Sequence, residues 1–199
     1  MTRKLNRLTQ QFEHLKIPIE EIKLATDNFD ETKVIGRGGF GKVYRGKHLK
    51  GRDMVAIKRL DRNRGQGDRE FWNEITILNC HTHENLIALF GFCIEGKEMS
   101  LVYEYAANGS LDRHLSSISF TWTQRLKVCL GAARGLSFLH DAQVGTNERI
   151  IHRDIKSANI LLDANWNAKI SDMGLSKIAP INQQHTGLFT KCCWNPWVL

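Results

Sequence analysis

The spacing of apolar positions changes period several times along this chain, and each change marks an element. Lys33-Val34-Ile35 leads into the glycine-rich stretch Gly36-Arg37-Gly38-Gly39-Phe40-Gly41, after which Lys42-Val43-Tyr44-Arg45-Gly46 alternates with a period of two. That pattern reads as strand, glycine turn, strand. Val55-Ala56-Ile57-Lys58 is a short β-prone run whose alternation puts Ala56 and Lys58 on one face. The period then lengthens. Phe71, Ile75 and Leu78 recur at helical spacing between Asp68 and Cys80, and Glu74 falls on the same apolar face. A longer helix is predicted from Thr121, whose spacing to Gln124 forms a capping box, to about His140. Leu126, Cys129, Leu130, Ala133, Leu136 and Leu139 form its apolar stripe, which is expected to be core. Leu161-Leu162 and Ala168-Lys169-Ile170 read as a buried hairpin. Near the start, Pro18 suits a first helical turn, and Ile19, Ile22 and Ala25 are expected to dock on the small sheet-bearing body that follows.

Several of these places carry chemistry. A lone G-x-G-x-x-G has competing readings: in a dinucleotide-binding fold the third glycine opens a helix, whereas here Gly41 opens a strand. The strand favours a hairpin whose backbone folds over phosphates, with a ligand-free glycine hairpin as the plain alternative. Glu74 on a buried face requires a counter-charge, because an unpaired buried charge is very costly. Lys58 is the natural partner, and the pair would aim the lysine at the α- and β-phosphates of a nucleotide. In His152-Arg153-Asp154-Ile155-Lys156-Ser157-Ala158-Asn159, Asp154 would accept the proton of an attacking hydroxyl. Lys156 would sit against the transferring phosphate, and Asn159 would hold a magnesium ion. Asp172-Met173-Gly174 follows the second hairpin, and Asp172 with Asn159 supplies hard oxygen ligands suited to Mg²⁺. His81 and His83 have no cysteine or histidine partners at metal-ligand spacing and read as a polar turn.

In this order and spacing, the motifs resemble those of a eukaryotic protein kinase domain. Ile19-Glu20-Glu21-Ile22-Lys23-Leu24-Ala25-Thr26-Asp27-Asn28-Phe29, Gly38-Gly39-Phe40-Gly41, Leu101-Val102-Tyr103-Glu104-Tyr105 and Asn108-Gly109-Ser110-Leu111 are most similar to plant receptor-like kinases. The likeness runs from about residue 12 to about residue 185, and Lys156 two places after Asp154 resembles the serine/threonine branch. The resemblance implies an α+β fold of two lobes. A basic lead-in covers 1–28, a small lobe with a twisted antiparallel sheet and one helix covers 29–105, and an incomplete helical lobe follows from 106. Between the lobes it implies an ATP site with Mg²⁺. Ile35, Val43 and Ala56 would form the roof, Leu161 the floor and Tyr103 the back, with the backbone from Glu104 to Ala106 at the adenine. Gly36, Gly38, Gly41 and Lys58 would meet the phosphates. Met173 stands where the family usually has phenylalanine, and its flexible side chain is expected to position Asp172 less rigidly.

Composition narrows the setting. The chain has 199 residues, 42% hydrophobic and 25% charged, which suits a globular chain able to bury one or two cores. A net charge of +7 is modest, so a solvated basic face is expected and no nucleic-acid partner. No apolar run approaches the ~20 residues of a membrane span. Met1-Thr2-Arg3-Lys4 resembles neither a secretory signal nor a myristoylation site. Five scattered cysteines fit reduced thiols, giving a cytoplasmic expectation, with the cytosolic face of the plasma membrane as the finer location. The resemblance implies a protein substrate with serine or threonine hydroxyls and, as a partner, a receptor kinase complex.

The sequence departs from the family after Asp172. The family continues with a Gly-Thr-Pro-Gly-Tyr stretch, an Ala-Pro-Glu segment and further helices, none of which is read here, so an apolar patch on the helical lobe is expected. Three readings follow: an active kinase, a catalytically impaired fragment that binds nucleotide or a partner kinase, and a damaged gene product without stable function. The tail at about 186–199 resembles nothing in the family. A permitted codon string for residues 192–198, displaced by one nucleotide, reads Val-Val-Gly-Thr-Pro-Gly-Tyr, the expected continuation. A frameshift, or a gene-model or splicing error, between about Ala179 and Cys192 accounts for it. Sequencing the locus and its transcript should reveal a downstream frame encoding Ala-Pro-Glu and further helices; a frame without them overturns this account.

Overall fold

A computed structural model describes residues 8–38, 41–61, 67–141 and 148–180; the tail from 181 onward lies outside them. Five antiparallel strands form the first sheet: β1 (Val34–Gly38), β2 (Gly41–Leu49), β3 (Arg52–Leu60), β4 (Leu89–Glu95) and β5 (Glu98–Glu104). Their spatial order is β1-β2-β3-β5-β4. Period-two alternation gives this sheet two apolar faces. Val55, Ile57 and Val102 point one way, onto helix α1 (Ile19–Ala25), where Ile19, Ile22 and Ala25 are buried. Leu101 and Tyr103 point the other way, onto helix α2 (Asp68–Cys80), which contributes Phe71, Trp72, Ile75, Ile77 and Leu78. The chain ahead of α1 also belongs to this body. Phe12 is buried against Trp72, and the Ile17 N–H donates to the Phe92 carbonyl at 2.8 Å.

The helical lobe is described from the connector after β5 through β9. Helix α3 (Trp122–His140) starts with the capping box its sequence predicts: Gln124 N–H donates to Thr121 Oγ1 at 3.3 Å, and Thr121 N–H donates to Gln124 Oε1 at 2.9 Å. Two small antiparallel pairs follow, β6 (Glu148–Ile151) with β9 (Lys177–Pro180), and β7 (Ile160–Leu162) with β8 (Ala168–Ile170). The loop after α2 is stitched to β8. Ile170 N–H donates to the Asn85 carbonyl at 2.8 Å, Ile87 N–H donates to the Ile170 carbonyl at 2.9 Å, and Asn85 Nδ2 donates to the Ala168 carbonyl at 2.9 Å. Through this stitch α2 and the strand leading to Asp172 keep a fixed relation.

One sequence expectation is corrected here. Only the C-terminal end of the expected α3 stripe is core: Leu139 is buried and Leu136 packs against the core, whereas Leu126 and Leu130 are more than half exposed, and Cys129 and Ala133 also face outward. The buried face is Val128, Gly131, Ala132, Gly135 and Leu139. The reason is distance. A Cβ at Gly135 would lie 2.8 Å from the Asn85 carbonyl oxygen and 2.9 Å from Ile170 Cδ1, and one at Gly131 would lie 2.9 Å from Asn85 Nδ2. The helix approaches β8 and the stitched loop so closely that only its small-residue face fits. With Trp122, the outward leucines form an exposed apolar strip. Gly135→Ala is therefore expected to lower stability by ~1–3 kcal/mol despite its better helix propensity, whereas Leu130→Ala should change it by less than ~0.5 kcal/mol. Urea midpoints of the two variants check this, and a larger loss for Leu130→Ala would reverse the face assignment.

Candidate active site

The cleft between the sheet and the β7–β8 hairpin gathers residues from five separate stretches of chain. Lys58 sits on β3 directly opposite Val43 on β2, and Ala56 sits opposite Tyr103 on β5, so these side chains share the sheet face turned toward α2. Lys58 Nζ donates to Glu74 Oε2 on α2 at 3.3 Å and to Asp172 Oδ1, just past β8, at 2.7 Å. Glu74 is only 3% exposed. Burial by itself would push the Lys58 ammonium toward neutrality; the carboxylates of Glu74 and Asp172 outweigh it and hold its pKa above the ordinary lysine value. One ammonium against two carboxylates leaves a negative charge in excess.

Asp172 occupies this place in a left-handed backbone conformation, φ 67° and ψ 61°. Such a conformation costs a non-glycine residue about 1–3 kcal/mol and persists where surrounding bonds over-determine it. Lys58 holds its carboxylate. Asn73 on α2 holds the chain that follows, its Nδ2 lying 3.0 Å from the Met173 carbonyl, 3.0 Å from that of Gly174 and 2.9 Å from that of Ser176. Met173 is fully buried in the core that contains Phe71 and Tyr103, so its pocket is filled.

The loop after β6 is organised by His152, which is almost fully buried. Its Nε2 donates to the Ser171 carbonyl at 2.9 Å, and its Nδ1 accepts the Asp154 N–H at 3.2 Å. One donor and one acceptor define a neutral ring, and burial, outweighing the bond to Ser171, pushes the His152 pKa down. Asp154 Oδ2 accepts from Lys156 Nζ at 2.7 Å and from Asn159 Nδ2 at 2.9 Å. Asn159 Nδ2 also donates to the Asp154 carbonyl, and Ser171 N–H and Oγ both donate to the Asn159 carbonyl. With its amide nitrogen thus engaged, Asn159 has its side-chain oxygen to offer a cation. Among the described residues no group of three or more His, Cys, Asp or Glu comes together as a metal site. The Asn159 oxygen and the Asp172 carboxylate are hard oxygen donors of the kind that would suit Mg²⁺.

The remaining expected residues lie around this centre. Gly38 pairs with Gly41 across the β1–β2 ladder, and residues 39 and 40 of the turn lie outside the described residues. Gly41 is required by the chain itself: at φ +134° its Cβ would fall 2.0 Å from the Arg59 carbonyl oxygen. Gly36 and Gly38 are different. A Cβ at Gly36 would make only ordinary contact with Val43, and one at Gly38 would meet nothing within 4 Å. Packing among the described residues does not explain these two glycines. Ile35 is half-buried, and its carbonyl accepts from Arg113 Nη2 at 2.7 Å, a bond between β1 and the start of the helical lobe. Tyr103 is buried at the back of the sheet face. The Glu104 carboxylate accepts the Ala88 N–H at 2.8 Å and pairs with Lys169 Nζ at 3.2 Å. The Ala106 carbonyl accepts the Gly109 N–H, and half-buried Leu161 bridges to Ser110 beneath the connector. Asn73, Arg113 and Lys169 have no sequence signal of their own: each is a polar residue whose partners lie far away in the chain.

A strand-borne lysine, its buried glutamate partner and a loop carrying aspartate and asparagine thus lie close together. A family model of the protein kinase domain matches residues 29–198, and the chain belongs to the protein kinase family. The matched stretch runs past residue 185, where the sequence motifs place the end of the likeness. Its relatives include three receptor-like protein kinases of Arabidopsis thaliana. HERK 1 is 48% identical over 180 residues, covering 88% of this chain and 21% of that protein. FERONIA is 51% identical over 173 residues, covering 85% of this chain and 19% of that protein. ANXUR2 is 49% identical over 168 residues, covering 83% and 19%. The chain thus spans about a fifth of the length of these curated relatives.

The neutral His152 makes a pH prediction. Its folded pKa lies below the unfolded value of about 6.5, so its contribution to stability is complete above that value and is lost as pH falls toward the folded pKa. Urea midpoints taken from pH 7.5 down to 5 should fall more steeply for the native chain than for His152→Gln. Identical slopes would rule out the neutral, buried ring.

Proposed function

We propose that this kinase domain transfers the γ-phosphoryl group of ATP to serine and threonine hydroxyls of protein substrates. The observation that carries the reading is that Lys58, Glu74 and Asp172 are bonded together, and that Asp154 and Asn159, also bonded together, are tied to them through Ser171, the neighbour of Asp172. The two glycines that packing does not explain support a phosphate-bearing ligand over β1 and β2. Ile35, Val43, Ala56, Tyr103, Glu104, Ala106 and Leu161 are the residues proposed for the adenine end. Lys58, held by Glu74, neutralises the α- and β-phosphates. Asp154 accepts the hydroxyl proton as the new oxygen–phosphorus bond forms and the bond to the β-phosphate oxygen breaks, releasing ADP. Lys156, already paired with Asp154, offers its ammonium to the phosphoryl in transit. Asn159 and Asp172 hold Mg²⁺, which when bound supplies charge neutralisation across the phosphates.

Serine/threonine preference rests on Lys156 two places after Asp154. A cytosolic setting within a receptor kinase complex rests on the relatives' description as receptor-like kinases, and no described helix is long and apolar enough to cross a membrane. The exposed strip of Trp122, Leu126 and Leu130 favours a second reading, a catalytically impaired domain that binds nucleotide or a partner kinase.

Calorimetric titration of the purified chain with ATP, with and without Mg²⁺, tests the site. Lys58→Ala and Glu74→Ala should weaken binding, and Asp172→Ala should remove its Mg²⁺ dependence. Where transfer to a serine or threonine peptide is measurable, Asp154→Asn should lower it ~10²–10⁴-fold. Unaltered Mg·ATP binding in all three binding variants sinks the assignment; binding without transfer selects the second reading.

A further inference from the structure

Three consecutive residues of α2 face three different parts of the molecule. Trp72 packs against Phe12 and Phe92, Glu74 meets Lys58, and between them Asn73 reaches the backbone after Asp172. At about 100° per residue a helix turns successive side chains to separate faces, so a short run can grip several neighbours at once. Three carbonyl oxygens, those of Met173, Gly174 and Ser176, lie within 3.0 Å of one atom of Asn73. Only the amide nitrogen can donate to them, its two N–H groups shared among three acceptors, of which the Met173 carbonyl also accepts the Ser176 N–H at 3.0 Å; the amide oxygen would present a fourth acceptor to three. Close packing brings the backbone there: a Cβ at Gly174 would lie 3.2 Å from Glu70 Cβ, one helical turn before Asn73.

We propose that Asn73 is a positioning residue that fixes the backbone of residues 173–176 against α2, and thereby holds the Asp172 carboxylate at Lys58 and at the Mg²⁺ site. Glu74 acts on Asp172 through Lys58; Asn73 acts on it through the chain that follows. A shift of α2 away from the cleft therefore loosens the lysine pair and the cation ligand together. The inference builds on the proposed Mg·ATP site, and its test separates the two.

Asn73→Asp keeps the shape of the side chain but sets a carboxylate against three carbonyl oxygens; Asn73→Ser shortens it and removes the amide. The first measurement is hydrogen exchange of the full chain without nucleotide, and the Ser variant serves if the Asp variant does not fold. Exchange across residues 173–177 should rise about tenfold or more in the variant while β3 and α2 keep native rates. The second is ATP affinity with and without Mg²⁺. The Mg²⁺ enhancement should fall about tenfold, with Mg²⁺-free affinity within about twofold of native, whereas Lys58→Ala should weaken both. Native exchange at 173–177, or an equal rise throughout α2, overturns the role of Asn73. Lost Mg²⁺ enhancement in Asp172→Ala with full enhancement in the Asn73 variant also overturns it while leaving the ATP reading intact. A native chain that binds no nucleotide sinks that reading, and the exchange result then decides by itself whether Asn73 holds the turn.

Discussion

The ammonium of Lys58 is the charge on which this arrangement depends. It joins β3, α2 and the turn after β8, three stretches that share no local sequence relation. Glu74 is buried, so without Lys58 its charge would stand unpaired in a poorly solvated place, a situation that costs several kcal/mol. The lobes are therefore not two bodies that happen to touch. The stitch between residues 85–87 and β8 and the chain ahead of α1 both fix α2, and α2 in turn fixes Glu74.

Around this centre the geometry rests on a few polar side chains that each bind backbone from distant segments. His152 ties the loop after β6 to Ser171, Asn85 ties the loop after α2 to β8, and Asn73 ties α2 to the chain after Asp172. Apolar packing fills volume but tolerates small slips; hydrogen bonds in a desolvated interior do not, because a broken one leaves an unsatisfied group. Polar hubs of this kind set Asp154, Asn159 and Asp172 in register.

Helix α3 shows how a correct pattern can carry the wrong conclusion. Its leucines do recur at helical spacing, yet only Leu136 and Leu139 reach the core; ahead of them the packed face is Val128, Gly131, Ala132 and Gly135, whose glycines allow an approach that a larger side chain would not. Hydrophobic periodicity reports that a face is apolar, not which neighbour it meets or how near that neighbour comes. The small-residue face was visible in the sequence, but its meaning required β8 and Asn85 to be in place.

What the sequence determined by itself is the set of local elements and the chemical parts: the strands flanking the glycines, the capped helix from Thr121, the acidic residue on an apolar helix face and the oxygen donors at 154, 159 and 172. These follow from side-chain period, capping and charge, which act over a few residues. The partnership of Lys58 with Glu74 was legible too, because a buried carboxylate demands a cation and few are near. The tertiary structure decided what depends on approach between distant segments: the second bond from Lys58 to Asp172, the neutral ring of His152, the three-way grip of Asn73 and the inward face of α3. Each is fixed by a distance or by desolvation across the fold, and neither quantity exists until the segments have packed.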